Sequence, residues 1–215
     1  GLPSRNRKGD PNIVAMLRDL RNQYHMRESI DVLVTEYGIA NLKWRTIRER
    51  AQALIDIAHP NDRKKLVEQA KQKKLLFPDQ IFLSESAQLY PMDIATDHVF
   101  KNGLKVRFRA IKPSDEEGMR RLFYRFSKQT VFRRFLFPIS TMPHNKLQEY
   151  VNVDYREVMS IVGLVGDRGQ GHIVAEARFV KDKHRPYADV AFVVDEAYQG
   201  LGIATYIYQM LVRLA

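Results

Sequence analysis

The chain contains no cysteine in its 215 residues. That excludes disulfides, thiolate zinc sites and a cysteine nucleophile within it. It has no run of about 18 apolar residues, so no membrane-spanning helix is expected. No signal-peptide pattern opens it, and its first residue is Gly1 rather than a start methionine. The six histidines never take H-x-x-x-H or H-E-x-x-H spacing, so no metal site is expected. There is no G-x-S-x-G, which removes the usual serine-hydrolase elbow. Internal repeats and low-complexity tracts are also missing.

What is present is an ordinary soluble composition, 45% hydrophobic and 28% charged. The formal net charge is +10 and the isoelectric point about 9.8, which first suggests nucleic acid. The distribution argues otherwise. Residues 1–90 carry 16 Lys/Arg against 11 Asp/Glu, and residues 91–215 carry 19 against 14, so each part has an excess of +5. No basic tail concentrates it, and "DRKKLVEQAKQKK" reads as a solvated helix face. An anionic small ligand suits this charge as well, and no nucleic-acid or membrane partner is expected. Cytoplasmic localisation is the expectation.

In the first part, "IDVLVTEYGIANL" reads as one buried strand ending at Gly38. Thr46 and Glu49 have capping-box spacing, and Ile47, Ala51, Leu54, Ile55 and Ala58 follow at helical intervals. Pro60 should end that helix, and Asn61 should cap the next. From Phe77 to about Phe100 the periodicity fades, predicting a connector. "LKVRFRAI" then alternates as a strand does. Ser114 and Glu117 form a second capping box before Met119, Leu122, Phe123 and Phe126. A short aromatic helix, "TVFRRFLFP", stops at Pro138, and Pro143 falls in the first turn of "MPHNKLQEYVNV". "EVMSIVGLVG" and "HIVAEARFV" flank the hairpin signal "DRGQG". "YADVAFVV" is the last strand before a closing helix. This order predicts an α+β fold around a largely antiparallel sheet.

"QGLGIA" lies directly between that strand and that helix. Gly200 and Gly202 permit a tight bend and close ligand approach, and the turn with the first helical N–H groups can bind phosphate. A tight strand–helix turn without a ligand would use the same residues. The P-loop signature fails, because Ala204-Thr205 stands where G-K-[ST] is required. The Rossmann fingerprint also fails, because Thr205 occupies its third glycine position and the element order is not βαβ.

The turn does resemble the pyrophosphate loop of GNAT acetyltransferases, Q/R-x-x-G-x-G/A, with Gln199, Gly202 and Ala204 at its defined positions. The likeness extends through "VAFVVDEAYQGLGIA", and "FSKQTVFRRFLFP…EYVNVDY" resembles GNATs of the bacterial protein-lysine acetyltransferase type. The resemblance implies acetyl-CoA binding. Pantetheine would pair with the strand ending at Val193-Val194, and pyrophosphate would sit on Gln199, Gly200, Leu201, Gly202, Ile203 and Ala204. It also implies a carboxylate general base. Asp189 matches the position where such GNATs often carry Glu, one methylene shorter, and Glu176 on the neighbouring strand is a second candidate. An edge or surface carboxylate is the alternative reading of Asp189. Asp195 and Glu196 are read as polarising the turn.

Earlier in the chain, "VTEYG", "RERA" and "IAHP", with "LPS…NIVAML" upstream, resemble the C-terminal end of the acetyl-CoA hydrolase/transferase family, which includes 4-hydroxybutyrate CoA-transferase. The glutamate that forms a glutamyl-CoA thioester in that family lies upstream of the match, and Glu36 is given a structural role at a strand end. The expectation is therefore an α/β chain. Residues 1–76 form the C-terminal part of an acetyl-CoA hydrolase/transferase domain, 77–100 a linker, and 101–215 the first part of a GNAT domain. The chain is expected to be an internal piece of a larger bifunctional protein, because Leu2 begins inside one match and Ala215 ends within the helix after the loop of the other. Its partners would be acetyl-CoA and an amine, either a protein lysine or a small molecule, with self-association through the CoA-transferase part left open. A non-catalytic CoA-sensing module is the alternative function.

Overall fold

The computed structural model describes residues 1–16, 30–83, 89–136, 139–167, 171–182 and 184–215. The chain divides into two compact units, Gly1–Gln88 and Leu89–Ala215. Among the described residues no helix is long and apolar enough to cross a membrane.

In the first unit the expected single strand is a hairpin. Strands β1 (Val32–Thr35) and β2 (Gly38–Asn41) pair antiparallel with Thr35 opposite Gly38. The chain reverses at Glu36–Tyr37, where the Tyr37 N–H donates to Thr35 Oγ1 at 3.1 Å and Gly38 takes φ +141°. An apolar run on both sides of a two-residue turn is easily read as one strand. Thr35 Oγ1 also donates to the Ile57 carbonyl at 2.6 Å, fixing the hairpin to the end of helix α1 (Ile47–Asp56). Thr46 and Glu49 form the expected capping box. Pro60 does not end this helix; it opens α2 (Pro60–Gln72), and His59 rather than Asn61 caps it, accepting from the Asn61 N–H at 3.3 Å. Proline fits the first helical turn because its missing N–H has no partner there to lose. Ala40, Leu42, Ile55, Ile57, Leu66 and Val67 close a core of their own. Glu36 has the structural part expected of it. Its carboxylate accepts from the Ser4 N–H at 2.9 Å and the Ser4 hydroxyl at 2.5 Å, tying down the N-terminal segment, and these bonds hold it below the usual carboxylate range.

The second unit is built on a five-stranded antiparallel sheet, in the order β3 (Thr96–Val99), β4 (Lys105–Ala110), β5 (Val158–Val165), β6 (His172–Lys181) and β7 (Ala188–Val194). Strand β3 falls inside the stretch 77–100, where a connector was expected. Its four residues, Thr96, Asp97, His98 and Val99, are half-buried or exposed and mostly polar, so apolar alternation is weak. It is held by its ladder to β4, with Asp97 against Arg107 at 3.1 Å and Lys105 at 3.2 Å, and by His98 packed on Phe100 and Tyr206. β5 and β6 pair as the hairpin signal predicted, while Arg168–Gln170 of its turn lie outside the described residues.

Helices α3 (Glu116–Arg125), α4 (Lys128–Phe135) and α5 (His144–Val151) follow β4, and α6 (Ile203–Leu214) follows β7. Pro143 stands at the cap of α5, just outside the helix. The Ser114 and Glu117 capping box does not form. Asp115 stands at the cap position without a side-chain bond to the helix, its carboxylate instead accepting from the Lys112 N–H at 2.9 Å and holding both terminal nitrogens of Arg109 at 2.6 and 2.7 Å. The sheet carries a core on each face. Phe108, Ile161, Ala177 and Phe179 meet Ile207 and Leu211 of α6 on one side. Val162, Ile173 and Val193 meet Met119, Leu122, Val131 and Leu147 of α3–α5 on the other.

Candidate active site

The site expected from the sequence is where β7 ends and α6 begins. Val193 and Val194 are both buried, and each contributes to the core of a different face. β7 is the last strand of the sheet, so its outer edge pairs with no strand among the described residues. Gly200 has φ +75° and Gly202 φ +89°. A Cβ at Gly200 would meet nothing within 4 Å, and one at Gly202 would lie 3.9 Å from the Phe100 ring. The glycines are therefore demanded by backbone conformation rather than by crowding. Gly202 caps α6, and the Tyr206 N–H is the first to return to it, at 3.0 Å. The N–H groups before Tyr206, from Ile203 and Ala204 onward, have no partner within the helix, and they carry the positive end of its dipole. Leu201 packs against the α6-side core and leaves the backbone of the turn outermost. Gln199 turns back, its amide donating to the Val194 carbonyl at 3.0 Å. This turn can hold an anion through backbone donors.

Asp195 and Glu196 do more than polarise the turn. Asp195 accepts from Arg125 Nε at 2.5 Å and from the Ala197 N–H at 3.1 Å, while Arg125 also donates to the Ile173 carbonyl at 2.6 Å. Glu196 accepts from the Ser127 N–H at 2.9 Å and the Thr130 hydroxyl at 2.7 Å, bonds that lower its proton affinity. The turn is thereby fastened to the corner between α3 and α4. Both carboxylates are engaged on that side.

The two candidate bases stand in contrasting surroundings. Glu176 is fully buried at the centre of β6. Its carboxylate accepts from Arg178 Nε at 2.6 Å, the Ser160 hydroxyl at 2.8 Å and Arg134 at 3.0 Å. Burial pushes its pKa up, but the charges of Arg178 and Arg134 outweigh that and hold it below the usual carboxylate range. Arg178 also lies over the Tyr150 ring, 3.7 Å from its centroid, and donates to the Tyr150 carbonyl at 3.0 Å. A carboxylate neutralised by two guanidinium groups is a weak proton acceptor, and it locks α4 and α5 to the sheet. A cavity of about 20 Å³ beside it is lined by Arg134, Tyr150, Met142 and Val193, among others, room for about one water.

Asp189 sits opposite Val180 at the start of β7 and is exposed. Val193 is the residue of β7 opposite Glu176, so the two carboxylates lie on one face of the sheet, roughly 13 Å apart along the strands. The structure does not bring them together as one pair. Among the described residues Asp189 forms no hydrogen bond or ion pair, and its carboxylate faces solvent. The arginines around Glu176 went unnoticed in the sequence. Arg178 was legible, two residues from Glu176 on the same face of an otherwise apolar strand. Arg134 was not, since it arrives from a helix 42 positions away.

Residues 1–70 match the family model of the acetyl-CoA hydrolase/transferase C-terminal domain. A 47-residue segment is 51% identical to 4-hydroxybutyrate coenzyme A transferase of Clostridium kluyveri, covering 22% of this chain and 11% of that protein. A segment of 106 residues is 34% identical to acetyltransferase Pat of Mycolicibacterium smegmatis, covering 48% of this chain and 31% of that protein. The chain thus spans less than a third of the length of either relative. Among solved structures, the GNAT domain of S. lividans PAT superposes with a TM-score of 0.53 at 22% identity, over 58% of this chain and 73% of that one. That likeness establishes the fold.

Proposed function

We propose that the second unit transfers an acetyl group from acetyl-CoA to an amine, with a protein lysine as the acceptor, since residues 1–70 match a C-terminal acetyl-CoA hydrolase/transferase segment and the second unit resembles GNAT acetyltransferases, and both families use coenzyme A thioesters. The observation that carries this reading is the β7–α6 turn: two left-handed glycines, a row of unpaired N–H groups and an open strand edge in continuity. Residues 199–204 would receive the pyrophosphate. The free edge of β7 at Val193-Val194 would receive the amide-bearing arm.

The chemistry asked of the protein is modest. An ammonium must lose its proton before its nitrogen can attack the thioester carbonyl. The carbon–sulfur bond then breaks and the thiolate takes up a proton. Asp189 is the exposed carboxylate on the strand that leads into the turn, and it is assigned as the base. Glu176 is assigned a positioning part, because its charge is already spent on Arg134 and Arg178.

The test is turnover of acetyl-CoA with a lysine peptide by the intact protein, wild type against Asp189→Asn. A drop of about 10²-fold or more near neutral pH is expected, shrinking at high pH, where the amine is free without help. Near-normal turnover at pH 7 with coenzyme A binding intact would remove Asp189 from the role. Failure to bind coenzyme A at all would remove the whole reading.

A further inference from the structure

The even division of charge between the two parts of the chain hides a local excess. Residues 118–148 contain seven Lys or Arg and not one Asp or Glu. Most of these cations are matched from outside the stretch: Arg120 by Glu116, Arg121 by Glu117, Arg125 by Asp195, Arg134 by Glu176 and Lys146 by Glu149. Among the described residues the side chains of Lys128 and Arg133 form no ion pair or hydrogen bond.

Both lie on the outer side of α4. Lys128, Phe132 and Leu136 recur every fourth residue and so form one stripe, with Arg133 beside it. Phe132 is 53% exposed and Leu136 79%. Leu136 ends the helix at φ +64°, its N–H donating to the Phe132 carbonyl at 2.7 Å. A leucine in a left-handed conformation is costly, and here it displays the side chain in solvent. Tyr124, on the preceding helix, is also exposed. The inner side of α4 is fully used, through buried Val131 and through Arg134 on Glu176.

We propose that the outer face of α4 is a docking surface for an acidic protein segment that also presents apolar side chains. On the acetyl-transfer reading, that segment carries the acceptor amine, and this last clause alone rests on that reading. The sign of the charge selects carboxylates. Phe132 and Leu136 ask for an apolar complement, which a phosphate backbone does not supply, and two free cations are few for nucleic acid, whose affinity grows with the number of phosphates neutralised. The location fits, because the N-terminal end of α4 is held at Ser127 and Thr130 by Glu196, just before the β7–α6 turn. A segment lying along α4 therefore meets, at the helix's N-terminal end, the residues that lead into the candidate site. Two charges and two apolar anchors at a surface give weak, salt-sensitive association, as suits a substrate that must leave.

The experiment uses the intact protein and two fluorescent peptides with the same central lysine, one flanked by Glu and Leu, the other by Lys and Ser. Anisotropy should show the first bound roughly 10-fold more tightly at low salt, with the difference fading at high salt. Arg133→Glu and Lys128→Glu should abolish or invert that preference, and Phe132→Ser should weaken it without changing sign. These exposed positions tolerate substitution. Equal affinity for both peptides, a preference untouched by Arg133→Glu, or tighter binding of a single-stranded oligonucleotide would overturn the proposal. Binding of the acidic peptide without acetyl transfer would support the docking surface and count against acetyl transfer, so the two ideas can fail separately.

Discussion

Glu176→Gln separates a positioning carboxylate from a catalytic one. The substitution keeps the shape and one acceptor oxygen but removes the charge, and its new amide donors face the donors of Arg134 or Arg178. Both guanidinium groups then remain where they are, with side chains only 7% and 11% exposed. Breaking one buried ion pair costs about 3–5 kcal/mol, mostly because the surviving charge stays buried and unpaired. Two cations lose the same partner here, which favours the upper end of that range. At roughly 2–4 °C per kcal/mol, Tm of the second unit should fall by about 10–20 °C. Ser160→Ala removes a single neutral bond to the same carboxylate and should cost only about 1 kcal/mol. The pH dependence supplies a second readout. The folded pKa of Glu176 lies below its unfolded value, so its stabilisation is complete above the ordinary glutamate range and is lost as pH falls through the folded value. Wild-type Tm should therefore decline in acid below about pH 4, and the Glu176→Gln protein should decline less steeply there. Calorimetric scans from pH 3 to 8 measure both effects. An unchanged Tm combined with lost turnover would refute the reasoning and make Glu176 the base.

Two further expectations follow from local geometry. Gly202→Val forces a branched residue to φ +89° and puts side-chain atoms toward the turn's N–H groups; calorimetry should show coenzyme A affinity falling at least ~10-fold, and unchanged affinity in a folded variant would show that the loop does not hold the ligand. Thr46→Ala removes one arm of the capping box at α1, so the first unit should lose about 1 kcal/mol in urea unfolding, with no effect on ligand binding to the second unit.

The antiparallel order β4 to β7 and the turn at Gly200–Gly202 were legible in the sequence, because each is encoded locally. Strand alternation, glycines and the capping box at Thr46 depend on neighbours a few residues away. What escaped was settled by partners distant in sequence. β3 is a strand because it pairs with β4, where Lys105 and Arg107 meet Asp97 across the sheet and His98 packs on Tyr206 of α6. Asp115 is turned toward Arg109, which reaches it from β4. The two candidate bases show the limit most clearly. By residue type and strand they were near equivalents, both carboxylates on adjacent strands. Folding buried one of them between Arg134 and Arg178 and left the other in water. A carboxylate's proton affinity is set by burial and by charges a few ångströms away, and those neighbours are chosen by tertiary structure alone.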